Sequence, residues 1–231
     1  MTQTPIRTVD ADGIRYNPDL IAPRLALFDP ATPELNAQPV TQGGRNAAWF
    51  IQCDGQSAVL RHYRRGGLIA KLVKKTYWWL GAERTRSWAE YAVMLHLYNS
   101  RVPVPLPLAA CWQRRVLGYQ AAIITQRIEK AQPIAQYIEK IPPESVAIVV
   151  KQMHDAGVWH ADLNVFNLLI DAQQQIYVID FDRARRFDVV DSKHRQNNLL
   201  RLRRSLIKVR GEIGQQWYEQ FRRAYLQLAK A

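Results

Sequence analysis

The stretch His160-Ala161-Asp162-Leu163-Asn164-Val165-Phe166-Asn167, followed thirteen residues after Asn167 by Asp180-Phe181-Asp182, decides the reading of the second half of the chain. Upstream, Pro142-Pro143 can open a helix in its first turn, and Gly157 can close one in the left-handed conformation, so Ser145 to Asp155 is expected to be helical. Downstream, the apolar runs Leu168 to Asp171 and Ile176 to Phe181 predict two strands joined by a turn. A polar loop between a helix and a hairpin brings an Asp and an Asn, five residues apart, near the carboxylate at the second strand's end. Oxygen donors of that kind suit Mg²⁺, which takes one or two carboxylates together with phosphate oxygens and water. Asp162 would be left to face an attacking hydroxyl. The competing reading is an Asx-rich turn, which accounts for Asp162 alone more readily than for the whole cluster.

Toward the N-terminus the texture changes. AAWFIQC (47–53) and QSAVLRHY (56–63) flank Asp54-Gly55, the dipeptide that best supplies the two positive φ angles of a tight hairpin. Ser87 to Tyr98 puts Trp88, Tyr91, Ala92 and Leu95 at i, i+3, i+4 and i+7, the pattern of an amphipathic helix. VPVPLPLA (102–109) cannot be helical, because each proline restrains its own φ and its predecessor. Leu108 to Trp112 and Tyr119 to Gln126 predict another hairpin, and two helices are expected from Ser192 to the end. The best boundary is Gln126 to Pro133, between a strand-rich half and a helix-rich half.

A length of 231 residues suffices for one large domain or two small ones without staples. Hydrophobic and charged shares of 48% and 23% exclude disorder and collagen-like repeats. Cys53 and Cys111 are too few for a disulfide framework and read as core residues in a reducing compartment. His62, His96, His154 and His194 lack metal-ligand spacing. No uncharged apolar run approaches the length of a membrane span, and MTQTPIRTVDADG has no signal-peptide core, so the chain is expected to stay in the cytoplasm. The net charge of +12 is concentrated: residues 61–86 hold eight basic residues against one acid, and residues 183–210 hold ten against two. An anionic partner is expected, although each segment taken alone is equally well read as a solvated face.

HADLNVFN with VIDFD resembles the catalytic loop and metal-binding loop of the protein-kinase-like superfamily, in its compact bacterial sugar-kinase branch. The resemblance implies an α+β two-lobe fold: a small antiparallel-sheet lobe over residues 1–127 with one long helix, and a mainly helical lobe over residues 128–231. By that resemblance Asp162 orients or deprotonates the acceptor hydroxyl, His160 braces the loop, and Asn167 and Asp180 bind Mg²⁺ beside ATP. Gly43-Gly44-Arg45-Asn46 lies where a phosphate-covering hairpin would sit, though a glycine pair is most often an ordinary turn. Arg61 occupies the strand position that normally carries the phosphate-pairing lysine, keeping the charge with a different geometry. Glu90 is the candidate partner of that cation, or else the second member of a Ser87-x-x-Glu90 capping box. Asn164 replaces the lysine usual in protein kinases, and no Ala-Pro-Glu anchor follows Asp182, so a regulated protein kinase is not expected.

Over nearly its full length the chain resembles the 3-deoxy-D-manno-octulosonic acid (Kdo) kinase family of lipopolysaccharide assembly. GGRNAAWFI, AVLRHYRRGGLIAKL, VPVPLPLAA, HADLNVFNLLI and YVIDFDRAR carry that likeness. The resemblance implies ATP-dependent phosphorylation of a Kdo sugar on lipid A or a lipid IVA-type precursor, by an enzyme peripheral to the cytoplasmic face of the inner membrane. Arg64, Arg65, Lys71, Lys74 and Lys75 would meet the acceptor's anions or an anionic membrane surface. Leu68, Ile69, Leu72, Val73, Tyr77, Trp78 and Trp79 would sit at the interface, unless the tryptophans are core. On the late basic helix, Leu199, Leu202, Leu206 and Val209 form a core-facing stripe, leaving Arg201, Arg204 and Lys208 to solvent. Another small phosphotransferase, acting on lipopolysaccharide heptose, an aminoglycoside or a protein, is the nearest alternative. A non-catalytic basic module on membrane or nucleic acid is the rival from a different class, and it leaves Asp162, Asn167 and Asp180 unexplained. No nucleic-acid partner is expected.

Overall fold

A computed structural model describes residues 9–11, 13–40, 48–63, 81–82, 85–115 and 118–228. The chain divides into two compact units, Met1–Leu95 with Leu106–Arg127, and His96–Pro105 with Ile128–Ala231. The second begins after Arg127 but also takes His96–Pro105, the end of a helix and the start of the proline-rich stretch.

In the first unit, β1 (Val9–Ala11), β2 (Ile14–Tyr16), β3 (Gln38–Pro39), β4 (Ala48–Cys53) and β5 (Gln56–His62) precede helix α1 (Arg86–Asn99). β6 (Pro107–Arg115) and β7 (Gly118–Gln126) follow it. Asp54 and Gly55 both have positive φ, 48° and 77°, so the β4–β5 turn takes the mirror-image form whose twist matches paired strands. The strands make one antiparallel sheet in the order β1-β2-β6-β7-β5-β4-β3. Alternation buries Ala58 and Leu60 of β5, while β6 and β7 bury Leu108, Ala110, Ile123 and Ile124. β1 and β2 went unanticipated, since a three-residue strand carries too little periodicity to be read.

The buried face of α1 differs from the expected stripe. Ala92 faces outward and Leu95 is half-buried, whereas Ser87, Trp88, Glu90, Tyr91, Met94 and Leu97 are buried. The helix is therefore turned so that a glutamate lies on its inner face. Its first turn is pinned to the sheet: the Ser87 hydroxyl donates to the Cys111 carbonyl at 2.8 Å, and the Arg86 N–H donates to the Tyr119 hydroxyl at 3.0 Å.

The second unit contains β8 (Gln132–Pro133), α2 (Pro143–Asp155), β9 (Val158–Trp159), β10 (Leu168–Ile170), β11 (Ile176–Val178), β12 (Arg185–Arg186) and α3 (Ser192–Leu228). β8, β10 and β11 form one small sheet and β9 with β12 another. Gly157 ends α2 with φ 78°, and a Cβ there would come within 2.2 Å of the Phe187 carbonyl oxygen, so conformation and close approach both demand glycine. α3 is two helices run together across Gly211, whose φ of 56° and ψ of −128° are not helical. α2 packs on α3, and Val146, Val150 and Met153 of the one helix and Leu199, Leu202 and Leu206 of the other are buried. No helix among the described residues is long and apolar enough to cross a membrane.

Candidate active site

The loop after β9 is held by side chains that spend nearly all their hydrogen-bonding capacity on its shape. His160 is fully buried. Its Nδ1 accepts the Asp162 N–H at 3.0 Å, which puts the ring proton on Nε2, and that donates to the Ile179 carbonyl at 3.0 Å. With both nitrogens engaged and burial holding its pKa below the usual histidine value, the ring is neutral and braces the loop. It also packs against Phe181, with ring centroids 5.0 Å apart. Asn164 is committed at both ends: its amide donates to the Asp162 carbonyl at 3.0 Å and its Oδ1 accepts the Phe166 N–H at 2.8 Å. It shapes the loop from within.

Asn167 Nδ2 donates to the same Asp162 carbonyl at 2.9 Å, which leaves the amide oxygen as the end available to another partner. The β10–β11 register pairs Leu168 with Val178, and the Ile179 N–H closes the hairpin mouth on the Asn167 carbonyl at 3.0 Å. Asn167 and Asp180 therefore leave the hairpin at the same end. Asp180 adopts a φ of 64°, a left-handed conformation costing a non-glycine residue roughly 1 kcal/mol, and its Oδ1 atom is buried. One amide oxygen and one carboxylate form a hard-oxygen donor set that fits Mg²⁺ completed by phosphate and water. The described residues hold no group of three or more His, Cys, Asp or Glu side chains placed to cage an ion. Two protein ligands of this type need no such cage.

The Asp162 side chain, by contrast, points outward and is 49% exposed. Its Oδ1 accepts from Nε of Arg201 on α3 at 2.6 Å. α3 reaches the loop at two further points. Asn198 is buried and grips the His160 backbone with both ends of its amide, accepting the N–H at 3.1 Å and donating to the carbonyl at 2.5 Å. The Ser205 hydroxyl accepts the Val165 N–H at 3.2 Å. Asn198 Oδ1 also accepts from His154 Nε2 at 3.0 Å, and His154 Nδ1 accepts the Tyr225 hydroxyl at 2.8 Å. Burial pushes His154 down to about 4. Sequence reasoning missed Asn198, Arg201 and Ser205. A faint signal existed for two of them, because Asn198 and Ser205 flank the Leu199, Leu202, Leu206 stripe on the same helical face.

In the first unit, the alternative roles of Glu90 are resolved in favour of the ion pair. Arg61 Nη2 donates to both Glu90 oxygens at 2.5 Å, and the Tyr63 hydroxyl donates to Oε2. The Glu90 side chain is 2% exposed and that of Arg61 27%. The capping box does not form, since Ser87 lies inside the helix with its hydroxyl on Cys111. The Arg61 and Arg86 guanidinium groups lie 4.9 and 5.3 Å from the Tyr63 ring centroid, close enough for cation–π attraction. Gly43, Gly44 and Arg45 lie outside the described residues, as do Asn46 and the basic and aromatic residues between Arg64 and Trp79.

Comparison with known proteins places most of the chain rather than the loop alone. Residues 32–225 match the model of the lipopolysaccharide kinase (Kdo/WaaP) family. A 3-deoxy-D-manno-octulosonic acid kinase of Xylella fastidiosa (strain M23) is 43% identical over 190 residues, covering 80% of this chain and 76% of the relative. The enzyme of the same name from Xanthomonas campestris pv. campestris (strain B100) is 42% identical over 207 residues, covering 86% and 83%. That of Xanthomonas oryzae pv. oryzae (strain PXO99A) is 40% identical over 208 residues, covering 87% and 83%.

Proposed function

The chain belongs to the lipopolysaccharide kinase (Kdo/WaaP) family, and from that premise we propose that it transfers the γ-phosphoryl group of ATP to a hydroxyl of a Kdo sugar carried on lipid A or its precursor. The single observation that carries the reading is Asp162: an outward-facing carboxylate on a loop whose own backbone is fixed by His160, Asn164 and Asn167. Phosphoryl transfer asks mainly for positioning and charge stabilisation, and such a loop supplies positioning. Asp162 accepts the hydrogen bond of the acceptor hydroxyl, orients its oxygen and takes its proton as transfer proceeds. Asn167 and Asp180 would hold Mg²⁺, which neutralises phosphate charge when bound. Arg61, fixed by Glu90 and Tyr63, serves the nucleotide phosphates, with Gly43, Gly44 and Arg45 as further candidates. Work on a lipid-linked acceptor at the cytoplasmic face of the inner membrane requires only peripheral attachment, and the positive charge of residues 61–86 supports attraction to anionic lipid.

A transfer assay with radiolabelled ATP, against lipid A precursors with and without Kdo, tests the reading. Label should enter only Kdo-bearing acceptors, and only with Mg²⁺ present. Transfer to heptose-bearing or protein acceptors in preference to Kdo would replace the acceptor assignment.

A further inference from the structure

Arg201 makes an unusual choice of contact. An arginine facing an isolated carboxylate can offer a two-pronged edge, yet Arg201 touches Asp162 through Nε alone. Among the described residues its two terminal nitrogens donate to nothing, and its side chain is 46% exposed. The fork therefore opens beside the carboxylate assigned to the acceptor hydroxyl. Arg204 and Lys208 follow at i+3 and i+7, within about 60° of Arg201 around the helix and about 10 Å along it. Both are exposed, and neither makes an ion pair or hydrogen bond among the described residues. Ser205, between them, anchors this part of α3 to the loop through Val165, so the row is fixed relative to Asp162.

We propose that this row is the acceptor's anion-binding subsite: Arg201 receives the carboxylate of the sugar acid whose hydroxyl Asp162 engages, and Arg204 and Lys208 receive phosphate groups farther along the same molecule. The inference rests on the acceptor class proposed above. A sugar acid differs from a neutral sugar by one planar oxyanion, and the open guanidinium edge matches that shape with two parallel hydrogen bonds. The half-exposed Arg201–Asp162 pair is weak enough to rearrange when the acceptor enters. An arginine engaged to both substrate and Asp162 also holds the carboxylate toward the hydroxyl. Asn164 is a neutral amide already engaged within its loop, so it supplies no cation there.

The test compares acceptors that share the hydroxyl but differ in charge. With a Kdo glycoside as the free acid and as its methyl ester, wild type should prefer the acid by about 30-fold in kcat/KM, the range of a charge-assisted hydrogen bond. Arg201→Ala should erase that preference while leaving the KM for ATP unchanged, and Arg201→Lys should restore part of it. Arg204→Ala/Lys208→Ala should keep the preference for the acid but lose discrimination between phosphorylated and dephosphorylated lipid acceptors. An unchanged acid-to-ester ratio in Arg201→Ala, with the ratio present in wild type, overturns the subsite. Absence of transfer to any Kdo acceptor by wild type refutes the acceptor reading instead. In that event calorimetry with the free sugar acid decides the subsite, which fails if wild type and Arg201→Ala bind it equally.

Discussion

Of the arginine–carboxylate pairs among the described residues, Arg61–Glu90 in the first unit and Arg201–Asp162 in the second place the same chemistry in opposite surroundings. Glu90 is buried, receives both Arg61 and Tyr63, and lies on the inner face of α1. Asp162 is half-exposed and receives Arg201 through a single nitrogen. A buried pair is rigid because separating its members leaves a charge without water, whereas an exposed pair can be exchanged for a substrate at little cost. The first pair thus suits a permanent cation, and the second a carboxylate free to exchange partners.

The largest effect should come from the exposed carboxylate. Asp162→Asn preserves shape and the loop's backbone bonds but removes the proton acceptor, so kcat should fall by roughly 10²–10⁴-fold with nucleotide binding and thermal stability retained. Calorimetry with ATP and a melting curve separate this from misfolding, and near-normal turnover would remove Asp162 from the chemistry.

Next comes the buried pair. Arg61→Ala strands Glu90 without its cation and should cost about 3–5 kcal/mol in denaturant unfolding, with Arg61→Lys losing less and raising the KM for ATP. A loss below about 1 kcal/mol would mean that Glu90 is as adaptable as Asp162, and the contrast would collapse.

The histidine behind the loop should make the second unit sensitive to acid. The folded protein holds His154 near 4 against an ordinary 6.5, so between those values the unfolded chain binds a proton that the folded one excludes. Stability fully present above pH 6.5 should be lost progressively down to about pH 4, by as much as about 3 kcal/mol. His154→Gln should flatten that slope when urea midpoints are measured from pH 7 to 4.5. An unaltered slope would assign the acid sensitivity elsewhere.

The smallest change in stability is expected at Arg201. Arg201→Ala should alter unfolding free energy by less than about 1 kcal/mol, since both partners are near half exposure. A loss as large as that of Arg61→Ala would make Arg201 a structural residue.

What the sequence determined by itself is local. Asp54-Gly55 dictates a hairpin because Asp-Gly is among the few dipeptides that readily take two positive φ angles, and Gly157 ends α2 for the related reason. The His160, Asp162, Asn167 and Asp180 spacing was legible because loop and hairpin are consecutive, so their relation is set within about twenty residues. Tertiary structure decided the rest. Glu90 fits a cap nearly as well as an ion pair in sequence, and only the rotation of α1 against the sheet, with Ser87 drawn to Cys111, made it the partner of Arg61. Asn198 and Arg201 lie 38 and 39 residues from the loop groups they hold. Periodicity tells which face of a helix is buried but not which loop lies against it. The packing of α2 on α3 made that choice, turning Asn198 into a buried clamp and bringing Arg201, by its sequence an ordinary solvated cation, to Asp162.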